Sequence, residues 1–138
     1  MAKDIFHNLV KTALQKDGWT ITEDPFLILA EGIKYEADLG AEILLGAKKE
    51  DHKIVVEIKS FLQQSKTHEM HQALGQFNTY SFALKTQAPE RTLYLAIPKH
   101  VYDDFFQIPF LQSLIKQYHL NLLVFSTKEA KITSWIKH

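Results

Sequence analysis

Hydrophobic residues recur at helical spacing near the start of the chain, in a segment that stops before a glycine. Separations of three and four residues place them on one face of a helix. This face carries Ile5, Phe6, Leu9, Val10, Ala13 and Leu14. Gly18 follows where a C-terminal cap belongs, because glycine adopts the left-handed backbone of such caps without steric cost. The pattern predicts a first amphipathic helix that ends before Gly18.

Two segments that alternate with period two come next, and they carry charged residues. Residues 38–45 (DLGAEILL) and 53–59 (KIVVEIK) each predict a β-strand, because neighbouring side chains in a strand point to opposite faces. One face of the first strand carries Asp38, Gly40, Glu42 and Leu44, and one face of the second carries Lys53, Val55, Glu57 and Lys59. A short polar turn over 47–52 separates the strands, which predicts an antiparallel hairpin.

The remaining elements complete a mixed α/β domain. Residues 19–22 and 26–29 are β-prone and interrupted by Pro25, which predicts a bent or edge strand. Ser65 or Thr67 is suited to cap a long helix. The predicted buried stripe of that helix is Met70, Ala73, Leu74, Phe77, Ser81 and Leu84. Further predictions are a central strand over 91–97 ended by Pro98, helices over 99–106 and 109–118, and strands over 121–126 and 131–136.

Composition limits the classes of function. The 138 residues include no cysteine, which excludes disulfides, thiolate metal sites and cysteine nucleophiles. We find no linker or repeat and expect one domain over 1–138; we also expect a soluble, cytoplasmic protein without a membrane span. The formal net charge is zero, and Arg91 is the only arginine. Because phosphate binding favours basic surfaces, this composition disfavours an autonomous sequence-specific DNA binder.

Candidate chemistry lies on the predicted hairpin. Asp38 and Glu57 fall on partner strands, and Lys59 shares the face of Glu57. Two neighbouring carboxylates repel one another unless a cation lies between them, and Mg²⁺ is commonly held by one or two carboxylates with water and phosphate. The alternative is an ordinary solvated sheet face, on which Glu42 pairs with Lys59. Spacing alone leaves both interpretations open.

The chain resembles the XisH family, the fdxN-element excision controlling factors, from Asp4 to Trp135. The segments that carry the resemblance are AKDIFHNLVKTALQKDGWTIT (2–22), ADLGAE (37–42), KIVVEIKSF (53–61), ALGQFNTY (73–80), RTLYLAIP (91–98) and ITSW (132–135). The resemblance implies a restriction-endonuclease-like fold of the PD-(D/E)XK superfamily, with a mixed central sheet flanked by helices. It also implies a role in site-specific excision of a bacterial DNA element, with an XisI-type companion factor and a site-specific recombinase as partners.

The same resemblance suggests roles for individual residues. Asp38, Glu57 and Lys59 match the D…ExK signature, which implies that Asp38 and Glu57 bind Mg²⁺ or Mn²⁺ while Lys59 assists hydrolysis of DNA. Gln76 and Tyr80 are similar to the QxxxY helix motif of RecB-type nucleases, whose glutamine and tyrosine lie near metal and substrate. The alternative is that Tyr80 only flanks the core and Gln76 bonds nearby backbone. The residue before Asp38 is alanine instead of the superfamily's proline.

Several other residues have weaker signals. His68 and His71 are three apart without an evident third ligand, which is typical of surface helix residues. His7 on the first helix could approach the site, although a lone histidine on an amphipathic helix is more often structural. An exposed aromatic surface over 101–110 would suit a homodimer. Three functions therefore remain open: a Mg²⁺-dependent nuclease, a regulatory factor that binds DNA, a recombinase or XisI without cleavage, and an interaction protein whose acidic pair binds nothing.

Overall fold

The computed structural model describes residues 4–43 and 52–138 and contains a mixed central sheet with helices on both faces. In chain order the helices are α1 (His7–Lys16), α2 (Lys66–Gln87), α3 (Lys99–Asp103) and α4 (Pro109–Gln117), with a short 3-10 helix at Phe105–Gln107. The strands are β1 (Thr20–Glu23), β2 (Phe26–Ala30), β3 (Ile33–Ala37), β4 (Leu39–Glu42), β5 (Lys53–Ile58), β6 (Thr92–Pro98), β7 (Leu122–Ser126) and β8 (Lys131–Ile136). No helix of these described residues is long and apolar enough to cross a bilayer.

Six strands form the central sheet in the order β1-β4-β5-β6-β7-β8. The pairs β5–β6 and β6–β7 are parallel, and the outer pairs are antiparallel. The central strands are nearly continuous runs of apolar residues, as expected where helices cover both faces of a sheet. The remaining strands, β2 and β3, form a separate two-stranded hairpin.

The alternation of β5 sends its side chains into two cores. Ile54, Val56 and Ile58 pack in the core that α1 covers, with Val10 and Leu14 of that helix. Val55 points the other way, into the larger core that α2, α3 and α4 cover. The face that carries Glu57 is therefore the face that α2 covers.

Most predicted elements are confirmed, and the antiparallel hairpin of the two charged strands is confirmed as β4–β5. Ser65 caps α2, since its hydroxyl oxygen accepts a hydrogen bond from the backbone N–H of His68 at 3.1 Å. The turn predicted over 47–52 lies outside the described residues except for His52, as do the last two residues of the strand predicted over 38–45. Gly18 has a φ of +92°, as the cap prediction requires.

Three predicted details of the elements are wrong. The single bent or edge strand predicted across Pro25 is two strands: β1, which does lie at the edge of the central sheet, and β2, which pairs with β3, a strand that was not predicted. The helix predicted over 99–106 breaks at Asp104 into α3 and the 3-10 helix. In α2, Tyr80 and Glu69 are buried, whereas Leu74 and Ser81 of the predicted stripe are only half-buried.

Two predicted surfaces also differ. Glu42 does not face Lys59: it lies opposite Lys53 in the β4–β5 register, and its carboxylate bonds Arg91 at 3.1 Å. The aromatic surface expected over 101–110 is mostly core, because Phe106 is fully buried and Phe110 alone among the aromatic residues of this segment is strongly exposed.

Candidate metal centre

The β4–β5 register brings the two predicted carboxylates together. The β4–β5 pairing ends with Leu39 opposite Val56, and one further step in the same register sets Asp38, just before β4, opposite Glu57. Directly opposed residues of an antiparallel pair have Cβ atoms about 5 Å apart and point to the same face. The backbone hydrogen bonds of the hairpin therefore hold the two acidic side chains side by side.

A cavity of about 390 Å³ opens on this face, beneath α2. It is lined by Asp4, Glu36, Asp38, Glu57, Ile58, Lys59, Ser60, Leu62, Gln63, Glu69, Gln72, Gln76 and Tyr80. All five predicted site residues are among them: Asp38, Glu57, Lys59, Gln76 and Tyr80. The wall contains five carboxylates and one ammonium group, so the cavity favours cations over anions.

Three carboxylates from separate parts of the chain hold the backbone where it leaves β5. The Oδ2 atom of Asp38 accepts the N–H of Ile58 at 2.6 Å, and Asp4 accepts that of Ser60 at 3.1 Å. The buried Glu69 of α2 accepts the N–H groups of Phe61 at 2.7 Å and Gln63 at 2.9 Å. We call residues 58–63 the exit segment. These four bonds fix the backbone on both sides of Lys59.

Glu57 is a buried carboxyl group with an unused acceptor. Its residue is 8% exposed, and its Oε1 atom has no hydrogen-bond partner in the structure. Burial, reinforced by the Asp38 carboxylate, raises the pKa of Glu57 to about 8. Burial also raises the pKa of Asp38, against the opposing hydrogen bond from the Ile58 amide. The pair is therefore unfavourable as two bare anions.

Lys59 and the helix residues complete the cavity. The Lys59 Nζ atom is 3.7 Å from Glu57 Oε2, and the side chain of Lys59 is 18% exposed. Gln76 leaves its buried Oε1 atom without a partner. Burial first, and the charges of Glu57 and Asp38 next, raise the pKa of Tyr80 to about 12, so its phenol keeps its proton at neutral pH. The cavity thus combines carboxylates, which can bind a cation, with three side chains that can donate hydrogen bonds: Lys59, Gln76 and Tyr80.

His7 lies behind the acidic pair and does approach the site. It is 3% exposed, and its Nδ1 atom is 3.9 Å from Asp38 Oδ1. Its Nε2 atom bonds Asp24 Oδ1 at 2.8 Å, and Lys11 bonds the other oxygen of Asp24 at 2.7 Å. Although burial raises the pKa of Asp24, these two partners lower it overall. His68 and His71 are exposed on α2, as predicted.

The donor set fits Mg²⁺ or Mn²⁺ held by few protein ligands. Across residues 4–43 and 52–138 there is no group of three or more His, Cys, Asp or Glu side chains arranged for a metal. A site that encloses the ion with protein ligands alone is therefore absent from this part of the chain. Mg²⁺ is usually bound by one or two carboxylates and keeps several waters, which the unpartnered oxygen of Glu57 and the neighbouring Asp38 can satisfy.

Three acidic residues of the cavity were missed in the sequence. Asp4 lies 56 residues before Ser60, so its bond to the exit segment depends on tertiary packing, whereas Glu69 follows Phe61 by only eight residues. Each had only a local signal, as an acidic residue at the start of a helix, where carboxylates are commonly found. Glu36 belongs to the strand that was not predicted.

Comparisons with known proteins agree with the resemblance. The family model described as "XisH protein" matches residues 1–133. An XisH family protein from Nostoc punctiforme is 42% identical, with a TM-score of 0.88 over 97% of this chain and 100% of that one. An fdxN element excision controlling factor protein from Anabaena variabilis is 43% identical, with a TM-score of 0.88 over 98% and 100%. A search of curated proteins gave no match. With nearly its whole length matched, the chain belongs to the XisH family.

Proposed function

We propose that this protein is a PD-(D/E)XK-type, metal-dependent DNA phosphodiesterase that acts in the control of DNA-element excision. One observation carries the proposal: the buried Glu57 carboxyl keeps an unpartnered oxygen beside Asp38, in a cavity that also holds Lys59. A buried polar group without a partner costs free energy, and a divalent cation would remove that cost. The role in excision rests on the name of the Anabaena variabilis relative.

The roles of the residues follow from their contacts. Asp38 and Glu57 would hold the cation, and Glu57 would do so through its unpartnered Oε1 atom. The bound Mg²⁺ or Mn²⁺ would supply Lewis-acid polarisation of the phosphodiester and a lowered pKa for an attacking water. Lys59 stabilises negative charge that develops on the phosphate oxygens. Tyr80 donates a hydrogen bond, since its pKa of about 12 keeps it neutral, and Gln76 orients the water or the substrate.

The test measures cation binding and DNA cleavage separately. Titration with Mn²⁺, followed by calorimetry, should show binding by the wild type and loss of at least tenfold in affinity for Glu57→Gln. Nicking of a mixed set of single-stranded, duplex and branched DNA in Mg²⁺ or Mn²⁺ should disappear in the same variant. Glu129→Gln is the control, because Glu129 lies on the surface and its side chain is 63% exposed. Equal cleavage by the wild type and Glu57→Gln would refute the assignment.

A second function is favoured by the distribution of charge. The only arginine, Arg91, has a side chain that is 6% exposed and is occupied by two glutamates, so it offers nothing to a base or a phosphate. The cavity wall is acidic as well. These features favour a regulatory factor that positions a recombinase or binds an XisI-type companion without cutting DNA. Mn²⁺ binding by the wild type, without cleavage of any substrate in the set, would select this function.

A further inference from the structure

The outer edge of β3 is a strand edge without a partner. β3 pairs only with β2, in the register that places Lys34 opposite Leu29 and Glu36 opposite Leu27. On the β2 side, Gln87 bonds the N–H of Leu29 at 2.7 Å and the C=O of Leu27 at 3.0 Å, so these groups point away from β3.

Antiparallel alternation fixes the direction of the corresponding groups on β3. Residues opposite each other in a non-hydrogen-bonded pair both point their N–H and C=O groups outward. Lys34 and Glu36 therefore direct their backbone groups away from β2. In the described part of the chain, no protein group bonds to these outward groups. Such an edge is a template for another strand.

We infer that β3 pairs antiparallel with β3 of a second copy of this chain, about a two-fold axis at Tyr35. In this register Lys34 lies opposite Glu36 of the second copy, and Glu36 lies opposite its Lys34. The outward backbone groups of the same residues then form the hydrogen bonds between the two strands. Opposite charges across a strand pair stabilise it, and the symmetry supplies this pair twice.

The charges also exclude the neighbouring registers. A shift by two residues in one direction places Lys34 opposite its own copy, and the opposite shift does so for Glu36. Like charges directly opposite each other destabilise a strand pair. A shift by one residue would align outward backbone groups with inward ones. The charge pattern therefore selects one register and one occupant.

Exposed apolar side chains concentrate around this edge. Leu27, Leu29 and Ile33 of the hairpin are 43%, 59% and 52% exposed, and Phe82 of the adjacent α2 face is 78% exposed. These are four of the nine large exposed hydrophobic residues of the described chain. Leu29, Ile33 and Phe82 line a groove of about 410 Å³ at the hairpin tip. Exposed patches of this kind mark interaction surfaces.

The pairing would also alter the candidate metal centre. Glu36 lines the cavity, and the second copy would bring its Lys34 ammonium next to that carboxylate. Each cavity would then gain a positive group at its acidic rim from the other subunit. A phosphate would meet less repulsion there than in the isolated chain. The pairing of β3 does not depend on whether the cavity cleaves DNA.

The first experiment is a charge reversal followed by sedimentation velocity. We expect the wild type to sediment as a dimer and Lys34→Glu to raise the dissociation constant by roughly tenfold or more. The double variant Lys34→Glu/Glu36→Lys restores the opposite charges and should recover the dimer. A wild type that is monomeric at all concentrations, or a dimer that Lys34→Glu leaves unchanged, would overturn the inference.

The second experiment is a disulfide trap in a chain that has no cysteine. Tyr35 would face its own copy in a non-hydrogen-bonded pair, with Cα atoms about 4.5 Å apart, which is within the range of a disulfide. Oxidised Tyr35→Cys should give a covalent dimer. Leu27→Cys should not, because the two β2 strands would be about 14 Å apart. Cross-linking of both variants alike, or of neither, contradicts the pairing; if Tyr35→Cys does not fold, the charge series decides.

Discussion

Asp38 is tied to the residue that follows Glu57: its Oδ2 atom accepts the N–H of Ile58 at 2.6 Å. This bond holds the first carboxylate beside the second even though burial and mutual repulsion oppose it. Asp38 keeps one oxygen for the backbone and turns the other, Oδ1, toward His7 at 3.9 Å. A backbone N–H thus holds Asp38 beside Glu57. The unfavourable free energy of burying the two carboxyl groups together should be measurable in the stability of the protein.

We predict that stability without divalent cations falls as pH rises toward 8. Glu57 has a pKa of about 8 in the fold, against 4.5 in the unfolded chain. Between these values unfolding releases its proton, so the stabilisation that is full below pH 4.5 is lost by about pH 8. Glu57→Gln should lack this slope and be more stable than the wild type at pH 8, by a few kcal/mol. Urea unfolding at several pH values measures the difference, and Asp103→Asn, a surface variant, should keep the slope.

Loss of the Glu69 carboxylate should loosen the exit segment. Glu69→Gln keeps one acceptor but turns an amide donor toward a backbone N–H, which leaves that buried group unpaired. We expect destabilisation of about 1–3 kcal/mol. Hydrogen exchange should accelerate at the amides of Phe61 and Gln63 and remain slow at Ile58, which Asp38 holds independently. Uniform acceleration at all three amides would contradict a local role.

Arg91 should be required for stability and not for DNA contact. Its guanidinium bonds the Ile54 carbonyl at 2.9 Å and Glu42 at 3.1 Å, and it lies 4.8 Å from the ring centre of Phe26. Arg91→Met removes the donor to the Ile54 carbonyl and the cation beside Glu23 and Glu42. We expect it to lower the free energy of unfolding by about 3 kcal/mol. Lys131→Met removes an exposed pair with Glu129 and should cost less than about 0.5 kcal/mol. Thermal unfolding compares them, and equal losses would show that Arg91 has no special role.

Substitution by alanine should change the stability of the protein in opposite directions at two glycines. A Cβ at Gly40 would lie 2.5 Å from Glu23 Oε1 and 2.7 Å from the buried Phe26 ring. The glutamate can swing away but the packed ring cannot, so Gly40→Ala should destabilise by about 1–3 kcal/mol. Gly75 in α2 has open space around it, so Gly75→Ala should stabilise by about 0.5–1 kcal/mol. Chemical denaturation of both variants gives the signs, and the same sign for both would contradict this packing.

Local patterns predicted the part of the site that lies on one hairpin. Alternation gave the face of its strand on which each of Asp38 and Glu57 lies. The β4–β5 register then puts both residues on the same face of the sheet. Helical spacing likewise placed Gln76 and Tyr80 on one face of α2. Periodicity gave only the shared face in these cases, because the residues belong to one supersecondary unit or one helix; the choice of these residues as a site came from the family resemblance.

The remaining parts depend on contacts that sequence periodicity does not encode. Asp4 bonds Ser60, which lies 56 residues further along the chain. The Arg91 side chain is hydrogen-bonded to Glu23 and Glu42, which lie on two other strands. β3, in contrast, could have been predicted from the sequence pattern. Glu31 and Gly32 form a two-residue turn between alternating segments, which is typical of a β-hairpin. Because Pro25 was interpreted as a bend within one strand, the second strand of that hairpin, β3, was not predicted.

Because three carboxylates anchor the exit segment, the position of Lys59 depends on the order in which parts of the chain fold. Asp4 belongs to the start of the chain, Asp38 to the hairpin and Glu69 to the long helix, and each holds a different part of one short stretch. A nascent chain that has not yet emerged as far as Glu69 lacks one of these anchors. The backbone around Lys59 would therefore reach its final position only once Asp4, Asp38 and Glu69 had all docked on it.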